Sequence, residues 1–134
     1  MKKIIALWGR ADIGKTTTLN YLIRLLDKSK EGEERPLNKD RRVVISYGNK
    51  KIAVTTLGDN IEEIDINIDF FEKNDCDILV TATRTRGKTV DTINKYCKEN
   101  KAEVIWIKKE ISETSAHLIN QKQAKDIQTM IDKL

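Results

Sequence analysis

Gly9-Arg10-Ala11-Asp12-Ile13-Gly14-Lys15-Thr16 is the stretch on which the reading of this chain turns. Its spacing is G-x-x-x-x-G-K-[ST]. Ahead of it stands Lys3-Ile4-Ile5-Ala6-Leu7-Trp8, a short apolar run that predicts a buried strand. Behind it, in Thr17 to Leu26, Leu19, Leu22, Ile23 and Leu26 recur at helical spacing. The local order is therefore strand, glycine loop, helix. A glycine-rich turn with a spectator lysine, the alternative reading, would need neither flank.

The chemistry of that order is specific. Glycines let the backbone curl so that successive N–H groups point inward at an anion. The helix that follows adds about half a positive charge at its N-terminus. Gly9, Arg10, Ala11, Asp12, Ile13, Gly14, Lys15, Thr16 and Thr17 are thus expected to surround a phosphate chain. Lys15 is expected to reach the β- and γ-phosphates, and the Thr16 hydroxyl to hold Mg²⁺.

Composition sets the bounds. The 134 residues suit one domain with a real core, spanning 1–134. Charged residues make up 34% and the net charge is +4, a balance that suits a polyphosphate ligand. No basic segment is interleaved with aromatics, so nucleic acid is not the expected partner. Cys76 and Cys97 form no C-x-x-C pair, and with the single His117 they make no metal cluster; both are expected to be reduced thiols. No apolar run is long enough to cross a membrane. Residues 2 to 8 read as a strand rather than as a signal segment, and a cytoplasmic location is expected.

Beyond the first helix, Asp27 to Asp40 is dense in charge and carries the only proline. It is expected to be a mobile loop, either a solvated linker or a flap over the ligand. Arg42-Val43-Val44-Ile45-Ser46-Tyr47 and Lys50-Lys51-Ile52-Ala53-Val54-Thr55-Thr56-Leu57 flank Gly48-Asn49. This is a tight hairpin, so its two strands must run antiparallel. Asn60 and Glu63 have capping-box character ahead of a helix carrying Ile61, Ile64, Ile68 and Phe71. Asp59 then has two candidate roles, metal ligand through water or helix cap. Asp75 to Thr83 predicts a fourth strand, and Val90, Ile93 and Cys97 share one face of the next helix. Glu103 to Ile107 predicts a fifth strand. After a polar loop from Lys108 to Ser115, a last helix carries Ile119, Ile127, Ile131 and Leu134.

In an open α/β sheet, ligands bind outside the carboxyl ends of the strands. That edge collects Gly9 to Thr16, Thr55 to Asp59, Arg84 to Lys88, and Lys108 with Lys109. Its cations are Arg10, Lys15, Arg84, Arg86 and Lys88. Arg84 or Arg86 is expected to act as a built-in arginine finger or lid residue, the alternative being an exposed loop arginine.

Over residues 3 to 26 the chain resembles the P-loop (Walker A) NTPase superfamily. The hairpin between the first helix and Gly58 is similar in layout to the Ras-like GTPases. The resemblance implies a three-layer α/β fold with helices on both faces of a five-stranded, mostly parallel sheet. Numbered along the chain, its strands would run 2-3-1-4-5, with one antiparallel edge strand. Residues 27 to 41 would stand at switch I, and Leu57-Gly58 at the switch II glycine. Those GTPases have D-x-x-G where this chain has Thr55-Thr56-Leu57-Gly58, and N/T-K-x-D where it has Thr83-Arg84-Thr85-Arg86. ATP is accordingly expected in preference to GTP. Gly9-Arg10 through Thr18 is also similar to the deviant Walker A of MinD/ParA-type ATPases, which implies a possible homodimer or protein partner on the nucleotide face. Cys76 to Asp91 is similar to segments of small bacterial ATP-binding P-loop proteins.

The expected function is ATP binding with Mg²⁺-dependent hydrolysis, using Lys15, Asp59, Arg84 and Arg86 for the chemistry and Thr16 with Asp59 on the metal side. A small-molecule or nucleotide kinase and a non-enzymatic nucleotide-dependent switch are the alternatives.

Overall fold

The computed structural model of the chain describes residues 1–85 and 87–134. Among the described residues five strands and four α-helices follow in the order β1 (Lys3–Trp8), α1 (Lys15–Leu26), β2 (Arg42–Tyr47), β3 (Lys50–Thr55), α2 (Ile61–Lys73), β4 (Ile78–Thr83), α3 (Lys88–Asn100), β5 (Glu103–Lys108) and α4 (Ala116–Asp132). A 3₁₀ turn over Lys28–Lys30 follows α1.

The strands form one mixed sheet. β1 pairs in parallel with β4 and β5, β4 in parallel with β3, and β2 runs antiparallel to β3 at one edge. Successive apolar residues in a strand serve opposite faces. Ile5 and Leu7 pack with Leu19, Leu22 and Ile23 of α1 and Ala124, Ile127 and Ile131 of α4. Ile4 and Ala6 pack on the other side with Ile64 and Phe71 of α2 and Ile93 and Cys97 of α3. The sheet is thus the middle of three layers. Continuous apolar runs such as Ile4 to Leu7 follow from burial on both faces.

The strand order is β2-β3-β4-β1-β5, not the expected 2-3-1-4-5. β4 lies between β3 and β1, and contacts in the sequence itself fix it there. The Asp77 carboxylate accepts from the Lys51 amide at 2.8 Å, and the Asp77 amide donates back to the Lys51 carbonyl at 2.7 Å. Thr55 donates to the Thr81 hydroxyl across the pair at 2.8 Å, and Asn67 of α2 donates to both Thr81 Oγ1 and the Leu57 carbonyl. Just past β3, Gly58 lies so close to β4 that a Cβ there would stand 1.8 Å from the Ala82 carbonyl oxygen. All six residues of β4 are buried, as befits a central strand.

Two further expectations change. The 27–41 stretch is tied down rather than free. Asn20 of α1, 2% exposed, donates to the Leu37 and Lys39 carbonyls at 2.7 and 2.8 Å. Arg24, one turn on, donates to the Glu33 and Arg35 carbonyls, and Arg41 pairs with Glu33 at 2.6 Å. The last helix ends at Asp132, leaving Leu134 beyond it and 38% exposed. Among the described residues no helix is long and apolar enough to cross a membrane.

Candidate functional site

The carboxyl ends of β1, β3 and β4 open onto a cavity of about 440 Å³. Its floor is the loop between β1 and α1. Gly14, the N-cap of α1, has φ +98°, a left-handed conformation that favours glycine. A side chain there would also meet Asn120 Oδ1 of α4 at 2.8 Å. Asp12 takes φ +60° in the same loop, a conformation aspartate tolerates better than most residues. Among the described residues no side chain caps α1, so its first amides remain available at the cavity's edge.

Lys15 is 5% exposed, and its ammonium donates to the Gly9 carbonyl at 2.6 Å and to the Thr83 carbonyl at 2.8 Å. Burial lowers its pKa from the ordinary lysine range; Asp59 pulls it back up, Arg84 presses it down and Asp12 raises it. Asp59 Oδ1 stands 3.8 Å from Lys15 Nζ and 3.3 Å from Arg84 Nε. Arg84 Nε is buried and has no hydrogen-bond partner among the described residues. The rest of the Arg84 side chain is 41% exposed, which gives it room to turn toward a ligand.

Opposite Lys15, the Thr16 hydroxyl donates to Asp40 Oδ1 at 3.1 Å. The Thr56 hydroxyl, just beyond β3, donates to the same oxygen at 3.0 Å. Neither Asp40 nor this meeting of hydroxyls was expected from the sequence. The available signal was a lone carboxylate at the close of a charged connection, immediately before a strand. Asn120, which accepts from Thr18 at 3.2 Å and backs Gly14, is a second residue missed, because it comes from the last helix.

The remaining expected residues divide. Asp12, Gly14, Lys15, Thr16, Thr17 and Asp59 line the cavity. Gly9 supplies a carbonyl to Lys15, and Ile13 packs back on Gly9. Ala11 is part of the turn, while Arg10 is exposed and does not line the cavity. Asp59 is not the helix cap: Asn60 accepts from the Glu63 amide at 2.9 Å, and Glu63 reaches back to the Asp59 amide at 2.8 Å. Lys88 lines a neighbouring recess with Asp59, Arg84 and Thr89. Lys108 lies over the Trp8 ring, and Lys109 is buried, its ammonium donating to the Glu110 carbonyl. Among the described residues Lys15 and Arg84 are the two cations that converge on Asp59. Arg86 lies outside the described residues.

Among the described residues no three acidic, histidine or cysteine side chains form a ready cation cage. The oxygens of Thr16 and Asp40, which meet at the cavity, nonetheless fit Mg²⁺, a hard cation that keeps several waters and takes few protein ligands. No protein-family model matches the chain, and a search of curated proteins finds no match.

Proposed function

We propose that this chain is a P-loop protein that binds ATP with Mg²⁺ in the 440 Å³ cavity and hydrolyses it. One observation carries the reading: a buried lysine and an uncapped helix N-terminus, joined by a left-handed glycine, face the same polar cavity. The loop amides and Lys15 hold the β- and γ-phosphates. A polyphosphate supplies the negative charge that burial denies Lys15, so its ammonium is stabilised when the ligand arrives. Arg84 turns from Asp59 to the terminal phosphate and offsets the charge that develops there. Asp59, released from that pair, orients the attacking water. Mg²⁺, when bound at the Thr16 side, neutralises phosphate oxygens. The lack of an N/T-K-x-D motif after β4 favours ATP over GTP.

Thermal unfolding with ATP or GTP, with and without Mg²⁺, tests this. A ligand at about 100 times its Kd adds roughly 2.7 kcal/mol of stability. MgATP is expected to raise the midpoint, MgGTP less so, and Lys15→Ala to abolish the shift. An equal shift in wild type and Lys15→Ala defeats the reading.

A second reading, phosphate transfer to a small acceptor, is favoured by the recess on the far side of Asp59. It measures about 290 Å³ and is lined by Arg84, Lys88 and Thr89, whose hydroxyl is buried with no partner among the described residues. Phosphate transfer to a panel of nucleosides and nucleotides separates it from hydrolysis.

A further inference from the structure

Four carboxylates line the cavity, Asp12, Asp40, Asp59 and Glu63, and the surroundings of Asp40 and Asp59 differ. Asp59 is committed to cations, with Lys15 Nζ and Arg84 Nε both near its Oδ1. Asp40 makes no ion pair among the described residues and instead gathers hydroxyls. A threonine hydroxyl has one proton and two acceptor lone pairs. With its proton directed to Asp40 Oδ1, Thr16 presents only lone pairs to its remaining surroundings. An oxygen so oriented is a ligand for a cation rather than a donor to a phosphate. Asp40 itself is exposed and lines the cavity, so its carboxylate remains open to cation-bound water.

The placement of Asp40 is built, not incidental. Asn20 holds the carbonyl just before it, at Lys39. Arg35 donates to the Asp40 carbonyl at 2.8 Å. On the far side, the Arg41 amide donates to Thr56 Oγ1 at 2.8 Å, and the Thr56 amide to the Arg41 carbonyl at 3.1 Å. Thr55-Thr56, where the strand ends, carries no acidic side chain.

Resting on the nucleotide-binding reading above, we infer that Asp40, delivered by the connection before β2 rather than by a strand end, is the positioning carboxylate of the metal side, and that Asp59 belongs to the phosphate side. Asp40 fixes the Thr16 hydroxyl as a metal ligand and holds metal-bound water; it touches neither phosphate nor the reacting atoms.

Asp40→Asn isolates the charge. An amide oxygen still accepts from Thr16 and Thr56, so a purely structural role survives the change, while a metal role does not. ATP affinity is measured by titration calorimetry with Mg²⁺ and with EDTA, on wild type, Asp40→Asn and Asp59→Asn. Losing an outer-shell partner costs about 10- to 100-fold in metal affinity. Asp40→Asn is therefore expected to lose about that factor of the Mg²⁺ enhancement, with EDTA-ATP affinity unchanged or higher. Asp59→Asn is expected to keep the enhancement factor. Full enhancement in Asp40→Asn, or its loss in Asp59→Asn instead, overturns the inference and leaves the site reading standing. If Asp40→Asn does not fold, loss of the enhancement in Asp59→Asn still overturns the inference. Wild type that binds no triphosphate in either buffer removes the site reading and this inference together.

Discussion

Gly58→Ala tests the strand order directly. The added Cβ would lie 1.8 Å from the Ala82 carbonyl oxygen, 2.4 Å from its carbonyl carbon and 3.1 Å from the Thr83 nitrogen. Optimal nonbonded separation is about 3.5–4.0 Å, so the 56–59 segment and β4 must part by roughly 1–2 Å. The obstacle is backbone, which cannot rotate away as a side chain can. Gly58 has no positive φ, so alanine is conformationally allowed and even gains about 0.4–1 kcal/mol by restricting the unfolded chain. Overpacking acts the other way at about 1–3 kcal/mol or more, and an uncompressible backbone contact belongs at the top of that range. The expected net loss is about 2 kcal/mol. For a domain of this length that lowers the thermal midpoint by roughly 6–10 °C. Urea unfolding should show a lower midpoint with an unchanged slope. Gly32→Ala is the control, because a Cβ at Gly32 meets nothing within 4 Å. If Gly58→Ala is as stable as wild type, the segment after β3 does not lie on β4 and the derived strand order is wrong.

Two other outcomes follow from buried polar groups. Asn20→Ala removes the donor to two carbonyls and is expected to cost about 1–3 kcal/mol, with faster proteolysis confined to residues 31–41; uniform cleavage along the chain would count against its anchoring role. Lys109 has its pKa lowered by burial, with Glu110 partly restoring it. The unfolded chain therefore binds the extra proton between that lowered value and 10.5, and this destabilisation is relieved as pH rises through the window. The stability of wild type minus that of Lys109→Met should accordingly climb as the pH rises towards 10.5, and parallel urea profiles would show that Lys109 is not the group responsible.

Local physics made much of the fold legible. The β1–loop–α1 unit, the Gly48-Asn49 hairpin and the Asn60–Glu63 cap each rest on residues close in sequence, and each forms where expected. The strand order did not, because it was taken from a resemblance when the deciding contacts are long-range. Asp77 to Lys51, Thr55 to Thr81 and Gly58 to Ala82 join residues whose partners no local pattern names. The site divides in the same way. Lys15 and Thr16 announce themselves by spacing, whereas Asp40 matters only because Asn20 and Thr56 carry it to Thr16. Strand ends say which residues gather but not which way they turn, and Arg10, expected among the converging cations, is exposed and does not line the cavity.

The ammonium of Lys15 takes its second carbonyl from Thr83, and Gly14 and Thr18 rest on Asn120 of the last helix. During synthesis the glycine loop therefore emerges long before its geometry can exist. A nascent chain that has released only α1 holds the motif as a sequence and not as a receptor. If the cavity binds nucleotide as proposed, that binding depends on the docking of α4, and fragments ending before residue 120 should carry the motif without the binding.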